Sequence, residues 1–211
     1  TPQDYNLQLQ SPQLCFKDPE LKASTAEIDA LGLPRARSGN FASVYKMRSG
    51  KRHWAVRCFL REFADNEERY QAIDAYLKRA NLPYMVPFSF LREGILVRGK
   101  WFPIVRMEWI TGESLDAFIC RNLGAPAVLA QLASDWYEMA RALQNASLAH
   151  GDLQHGNVLV VQGKLRLIDY DGMYVEDLRS LGSAELGHRN FQHPRRSANT
   201  WDPTIDRFSF I

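Results

Sequence analysis

The sequence predicts an α+β protein whose first half is rich in strands and whose second half is mainly helical. Short β-prone segments cluster between residues 41 and 110 around one amphipathic helix, in the order β-β-α-β-β. Residues 125–148 then repeat apolar side chains at helical spacing over about six turns. With 45% hydrophobic and 11% aromatic residues in a chain of 211, a packed core is expected.

The first 34 residues are polar and interrupted by four prolines, Pro2, Pro12, Pro19 and Pro34. Prolines at this density are typical of irregular backbone. We therefore expect residues 1–34 to form an extension lying on the domain, with one short helix at AEIDAL, residues 26–31.

A hairpin and a helix follow the extension. The segments FASVYKM and HWAVRCFL are β-prone, and the Ser-Gly pair between them is typical of a turn. In ADNEERYQAIDAYLKRA, residues 64–80, Tyr70, Ile73 and Leu77 form one apolar stripe, with Asp65 or Asn66 as N-cap. Two further strands are predicted, MVPFSFL with GILVRG and then KWFPIVRMEWI.

The second half begins with a short helix at ITGESLDAFI and continues into the long helix. Its apolar stripe is made by Val128, Leu132, Trp136, Met139 and Leu143. Two short strands, VLVV and KLRLI, are paired through QGK, and an irregular stretch follows DYDG as far as Pro194.

Charge and cysteine content limit the class of protein. The 26 basic and 24 acidic residues balance to a net charge of +2, so no nucleic-acid or membrane-surface partner is indicated. No apolar run approaches the roughly 20 residues of a membrane span, and the start lacks the layout of a signal peptide. Three widely spaced cysteines favour a reducing, cytoplasmic location. Because the chain begins without Met and stops in FSFI, we expect it to be part of a longer protein.

The loop HGDLQHGN, residues 150–157, places an aspartate and an asparagine, Asp152 and Asn157, five positions apart. It resembles the catalytic loop HRDxxxxN of the protein kinase-like superfamily. The resemblance places Asp152 as the catalytic base and Asn157 as a metal ligand. Phosphoryl transfer needs an acceptor hydroxyl held in line and a phosphate neutralised by Mg²⁺, and an amide oxygen ligates such a hard cation.

The segment DYDG follows the last predicted strand and resembles the DFG segment, whose aspartate holds Mg²⁺. Asp169 follows the strand directly, as the aspartate of the family does. Asp171, however, is the residue that directly precedes the glycine. Asp169 is the preferred metal ligand, and Asp171 is the alternative.

The upstream half resembles the nucleotide-binding part of the family. ARSGNFASVYKM is similar to the glycine-rich loop over the ATP phosphates, but only Gly39 of its three glycines is present, with Arg37 and Ala42 in the outer places. WAVRC aligns with V-A-I-K and puts Arg57 where the phosphate-binding lysine stands. The resemblance implies further adenine contacts from Val44, Ala55, Met107, Glu108, Ile110 and Leu159.

The replacement of the lysine by Arg57 leaves two questions open. Arginine keeps the charge and can bind phosphate bidentately, but its planar fork differs from an ammonium group. Lys46 lies on the strand face of Val44 and is a possible substitute. The helix glutamate that pairs with this lysine in the family has no firm equivalent here; the candidates are Glu68, Gln71 and Asp74.

Residues 173–208 favour a protein acceptor over a small molecule. GHRNFQHP resembles the segment that docks a peptide, with Gly187, Phe191 and Pro194 in matching places. IDRFS resembles the start of the next helix of the family, with Asp206 tied back to the catalytic loop. Gly151 stands in place of the HRD arginine, so we expect no cation there for a phosphorylated activation segment.

The resemblance therefore implies a two-lobed kinase fold, most like a divergent bacterial-type serine/threonine protein kinase. Residues 1–34 are the extension, 35–110 the β-rich N-lobe and hinge, and 111–211 a mainly α C-lobe cut short. The expected activity is transfer of the ATP γ-phosphate to protein hydroxyls with Mg²⁺. The alternatives are a pseudokinase scaffold, because of Arg57, and a small-molecule kinase of the aminoglycoside or choline type, because these share the HGD loop.

Overall fold

A computed structural model describes residues 1–39, 42–60 and 65–211, without the side chain of Ser38. Asn40 and Phe41, part of the expected glycine-rich loop and first strand, lie outside the described residues. So does Ala64, the first residue of the predicted helix.

The first 34 residues are more ordered than their composition predicts. They form three short helices, α1 (Pro2–Gln8), α2 (Pro12–Cys15) and α3 (Pro19–Lys22), each with a proline in its first turn. Proline suits that turn because its φ is already helical and the N–H it lacks would have no helical partner. The predicted helix over residues 26–31 is wrong: residues 25–26 form a strand and Ile28 bridges Pro34.

The central element is a six-stranded antiparallel sheet. Its strands are β1 (Thr25–Ala26), β2 (Ala36–Ser38), β3 (Ala42–Ser49), β4 (Arg52–Phe59), β5 (Phe88–Val97) and β6 (Lys100–Glu108). The order is β1-β3-β4-β6-β5, and β2 also pairs with β3. The predicted hairpin and the two later strands are thereby confirmed.

One face of this sheet is buried by the N-terminal helices. Tyr45, Met47, Val56 and Cys58 point to that face, and Tyr45 and Met47 are fully buried. The residues from the N-terminal segment that join this core are Tyr5, Leu9, Cys15, Phe16 and Leu21. The segment therefore supplies one wall of the core rather than a loosely lying extension.

Aromatic residues cover part of the other face of the sheet. Helix α4 (Asn66–Ala80) places the Tyr70 ring 5.5 Å from Phe90, stacked, and 5.6 Å from Phe88, edge-on. Phe59 of β4 lies 5.7 Å from the same ring. Tyr70 and Ile73 of the predicted apolar stripe of α4 are buried, and Leu77 is partly buried.

The remaining elements form helices and a small antiparallel sheet. They are β7 (Glu113–Ser114), α5 (Leu115–Arg121), α6 (Pro126–Asn145), β8 (Val158–Val161) and β9 (Lys164–Leu167). β8 is the central strand of this sheet. Met139 and Leu143 of α6 are buried, as the predicted stripe requires, whereas Val128 at the start of the helix is 39% exposed.

The chain divides into two compact units. The first contains Thr1–Gln71 and Pro87–Trp109, and the second contains Ala72–Val86 and Ile110–Ile211. The class is α+β, as predicted. In the part of the chain that the structure describes, no helix has both the length and the apolar character needed to cross a membrane.

Candidate active site

The side chains of Asp152 and Asn157 converge in the loop between α6 and β8. Asn157 Nδ2 donates to Asp152 Oδ2 at 2.9 Å and to the Asp152 backbone oxygen at 3.0 Å. A single 3-10 turn, His155–Asn157, brings them together across five positions. Both residues are 8% exposed, so the contact lies in a largely desolvated place.

Two further donors fix the Asp152 carboxylate. Gln154 Nε2 donates to Oδ2 at 3.0 Å, and the backbone N–H of His188 donates to Oδ1 at 2.6 Å. An ionised carboxylate offers about four acceptor positions, and three are taken by described residues. One position on Oδ1 can therefore accept the proton of a hydroxyl group.

Asp206 holds the backbone of this loop in place. Its carboxylate accepts the backbone N–H of His150 at 2.5 Å and that of Gly151 at 2.9 Å. Burial raises the pKa of Asp206, whose side chain is only 2% exposed. His150 is fully buried and its Nε2 lies 3.0 Å from the backbone oxygen of Ile168. These contacts make the loop a rigid platform for Asp152.

Gly151 allows the loop to pack directly on the DYDG segment. Its φ is +83°, and a Cβ there would lie 1.8 Å from the backbone oxygen of Gly172. Only glycine combines this backbone conformation with so close an approach. A side chain such as the HRD arginine cannot be accommodated at this position.

A cation nevertheless reaches Gly151 from elsewhere in the chain. Arg196 donates through one terminal nitrogen to the Gly151 backbone oxygen at 2.8 Å, and it also bonds Gln192. Burial lowers the pKa of Arg196, while Asp206 and Asp152 act in the opposite direction. Arg196 thus brings a cation next to Gly151 from 45 positions away, and the expectation about a phosphorylated activation segment stays a prediction.

Asp169 adjoins Asn157 through the backbone. Ile168 N–H donates to the Asn157 backbone oxygen at 3.0 Å, which places Asp169 directly after that contact. Asp169 has a φ of +67°, a left-handed conformation that costs a non-glycine residue about 1 kcal/mol or more. Strain of this kind is concentrated at functional positions, which favours Asp169 over Asp171, two residues further along.

Protein side chains alone do not make a complete metal site among the described residues. Among the described residues no group of three or more His, Cys, Asp or Glu side chains could hold a metal by itself. Mg²⁺ is commonly bound by one or two carboxylates together with waters and phosphates. Asn157 binds Asp152 through its amide nitrogen, which leaves its Oδ1 as one candidate oxygen ligand; the carboxylate of Asp169 is the other.

Four of the predicted nucleotide-binding residues of the first unit share one face of its sheet. Val44 is paired directly with Arg57, and Ala55 with Met107, across neighbouring strands. Residues opposite each other in an antiparallel pair point to the same side. This face lies opposite the core face, and all four side chains are partly exposed.

The positions of the other predicted nucleotide-binding residues support that role less directly. Glu108 is exposed at the end of β6, opposite Trp54. Gly39 donates its N–H to the Ala42 oxygen at 3.0 Å. In the second unit, Leu159 lies on β8 and Ile110 just after β6, both partly exposed.

Lys46, the possible substitute for the missing lysine, is engaged elsewhere. Its Nζ lies 3.8 Å from Glu27 and 5.2 Å from the Trp109 ring centre. Arg37, in an outer glycine place, also binds Glu27, at 3.0 Å, and covers the same ring. Lys46 and Arg37 are therefore both paired with Glu27 at the edge of the sheet.

Two candidates for the helix glutamate make contacts within α4. Gln71 bonds Glu67 at 3.1 Å, and Asp74 pairs with Lys78 at 2.6 Å. Glu68 is exposed. None of these contacts identifies the partner of Arg57.

Sequence reasoning did not anticipate Gln154, Gln192 or Arg196 in this site. Gln154 sits two positions from Asp152, a spacing that could have been noticed. The other two lie about forty positions downstream and carried no local signal. No protein-family model matches the chain, and a search of curated proteins found no significant match.

Proposed function

We propose that this chain is the phosphotransfer part of an ATP- and Mg²⁺-dependent, cytoplasmic serine/threonine protein kinase with a two-lobed kinase-like fold. The observation that carries the proposal is the buried contact between Asp152 and Asn157, with the strained Asp169 one residue beyond the backbone bond to Asn157. The α+β class and the resemblance of HGDLQHGN and DYDG to kinase motifs support it.

Asp152 is the residue that handles the proton. Its remaining acceptor position can bind an acceptor hydroxyl and orient the oxygen toward the γ-phosphate. It takes the proton as the new P–O bond forms and the bond from the γ-phosphorus to the β–γ bridging oxygen breaks, which releases ADP. Asn157, Gln154 and the His188 N–H hold the carboxylate in one orientation. This preorganisation is the main contribution of the protein, because phosphoryl transfer is chiefly a matter of positioning.

The nucleotide and the metal have separate candidate residues. Asn157 Oδ1 and Asp169 would hold Mg²⁺, which neutralises phosphate charge when bound. Arg57 would bind phosphate oxygens, and the partly exposed apolar residues on its sheet face, Val44, Ala55 and Met107, would contact the adenine.

The test is transfer of labelled phosphate from ATP to the protein or to a generic substrate. Asp152→Asn and Asp169→Asn should each lower the rate at least about 100-fold, since both act on the reacting groups. Asp177→Asn is the matched control, because Asp177 is half-exposed and pairs only at the surface with Arg79. Transfer that persists in both variants would refute the assignment.

A second candidate is a nucleotide-binding pseudokinase. Arg57 in the lysine place and the commitment of Arg37 and Lys46 to Glu27 favour it. ATP raising the melting temperature without any transfer would support this candidate. Absence of both binding and transfer would reject the two candidates together.

A further inference from the structure

Residues 186–201, the basic segment, carry a marked local charge. The segment contains Arg189, Arg195 and Arg196, together with His188 and His193, and no aspartate or glutamate. The whole chain is nearly neutral, with a net charge of +2. The positive charge is therefore a property of this segment and not of the protein in general.

The basic segment is bonded directly to the catalytic loop. The His188 N–H binds Asp152 Oδ1 at 2.6 Å, and Gln192 Nε2 binds the Gly151 oxygen at 3.1 Å. Gly187 sets this register: its φ is +73°, and a Cβ there would lie 2.5 Å from the Gly151 oxygen. The segment consequently borders the position where an acceptor hydroxyl would meet Asp152.

Rings form a surface next to the same carboxylate. Phe191 lies 5.3 Å from the His155 ring and 5.6 Å from the His188 ring, centre to centre. Both histidines are exposed and Phe191 is partly exposed. An extended peptide could rest on these rings with its hydroxyl beside Asp152.

Arg189 and Arg195 lie two residues before and four residues after Phe191, and no described carboxylate neutralises their charge. Both are exposed, and no carboxylate among residues 1–39, 42–60 and 65–211 pairs with either of them. Arg79 and Arg179, exposed arginines of the same unit, do pair, with Asp177 and Glu176. Exposed guanidinium groups that pair with no described carboxylate are suited to binding carboxylates of a partner.

We propose that the acceptors of this site are protein segments with acidic residues next to the phosphorylated serine or threonine. The inference rests on the proposed kinase function and adds its substrate class. Arg189 and Arg195 act as specificity determinants, and they neither touch the γ-phosphate nor take part in the proton transfer.

The experiment compares three serine peptides that differ only in flanking charge: acidic, neutral and basic. For the wild-type chain, kcat/KM should be on the order of tenfold higher for the acidic peptide than for the neutral one. This factor is what two exposed ion pairs contribute together. The preference should shrink at high salt because exposed charges are screened. The double variant Arg189→Ala, Arg195→Ala should lose the preference while retaining the rate on the neutral peptide.

Arg141→Ala is the matched control, because Arg141 is an exposed arginine of α6 outside the basic segment. It should keep the full preference. Equal use of all three peptides, or a preference that survives in the double variant, would overturn the inference and leave the kinase function standing. No transfer to any peptide would overturn both.

Discussion

Replacing Gly151 by alanine tests the packing that holds the candidate site together. A Cβ at this position meets the Gly172 backbone oxygen at 1.8 Å and its carbonyl carbon at 2.6 Å. Carbon atoms normally approach non-bonded neighbours to about 3.5 Å, so one of the two backbone segments must move. Neither contact is with a flexible side chain that could turn away.

The cost has two parts that can be separated. A left-handed conformation costs an alanine roughly 1–2 kcal/mol. Moving the loop also disturbs the buried bonds from His150 and Gly151 to Asp206, and an unsatisfied buried N–H costs about 1–3 kcal/mol. We expect Gly151→Ala to lower the free energy of unfolding by about 2–5 kcal/mol in total.

Gly163→Ala supplies the control. Gly163 has a φ of +74°, and a Cβ added there would have no neighbouring atom within 4 Å. It should cost only the backbone part, about 1–2 kcal/mol. Urea unfolding of both variants at one pH measures the difference. If the two variants lost equal stability, within about 0.5 kcal/mol, the close contact between the loop and DYDG would be wrong.

Further predictions concern the buried core, the three thiols, Asp206 and Ser183. Leu21→Ala should cost about 2–5 kcal/mol in unfolding free energy because Leu21 is fully buried, whereas Leu14→Ala, at a position 71% exposed, should be neutral within about 0.5 kcal/mol by urea titration. A thiol reagent should label Cys120 alone in the native protein and all three cysteines in urea, since the other two are buried and burial raises the pKa of both thiols; rapid native labelling of more than one thiol would contradict this. Asp206→Ala should lower the melting temperature and the transfer rate together, because two buried N–H groups lose their acceptor; unchanged values would exclude the anchoring role. Ser183→Ala should retain transfer activity in the phosphate assay, since Ser183 Oγ only donates to the Glu185 backbone oxygen; loss of activity would make it a switch.

Much of the fold was accessible from local pattern. Alternation of side chains located β3 and β4, and the stripe through Tyr70 and Ile73 located α4. The pattern predicts irregular backbone for the N-terminal segment, because prolines interrupt most regular elements. In the folded chain they open helices, and helix α3 delivers Leu21 into the core of the sheet.

The candidate site was accessible only in part. The pair Asp152 and Asn157 followed from their spacing, since a short turn brings positions five apart within hydrogen-bond reach. The donor from His188 and the cation from Arg196 did not, because each comes from more than thirty positions away. The strand pattern leaves open whether Lys46 replaces the missing lysine or lies at the surface, and only the fold shows its ion pair with Glu27.

By itself, the sequence determined the α+β class, the strands and long helices, and the loop that carries Asp152 and Asn157. These are local properties, set by side-chain periodicity and spacing along a few turns or strands. Tertiary structure alone decided that the His188 N–H binds Asp152 from 36 positions away and that Arg196 binds the Gly151 backbone oxygen from 45 positions away. Such contacts depend on how distant backbone segments pack, and neighbouring residues carry no record of that packing.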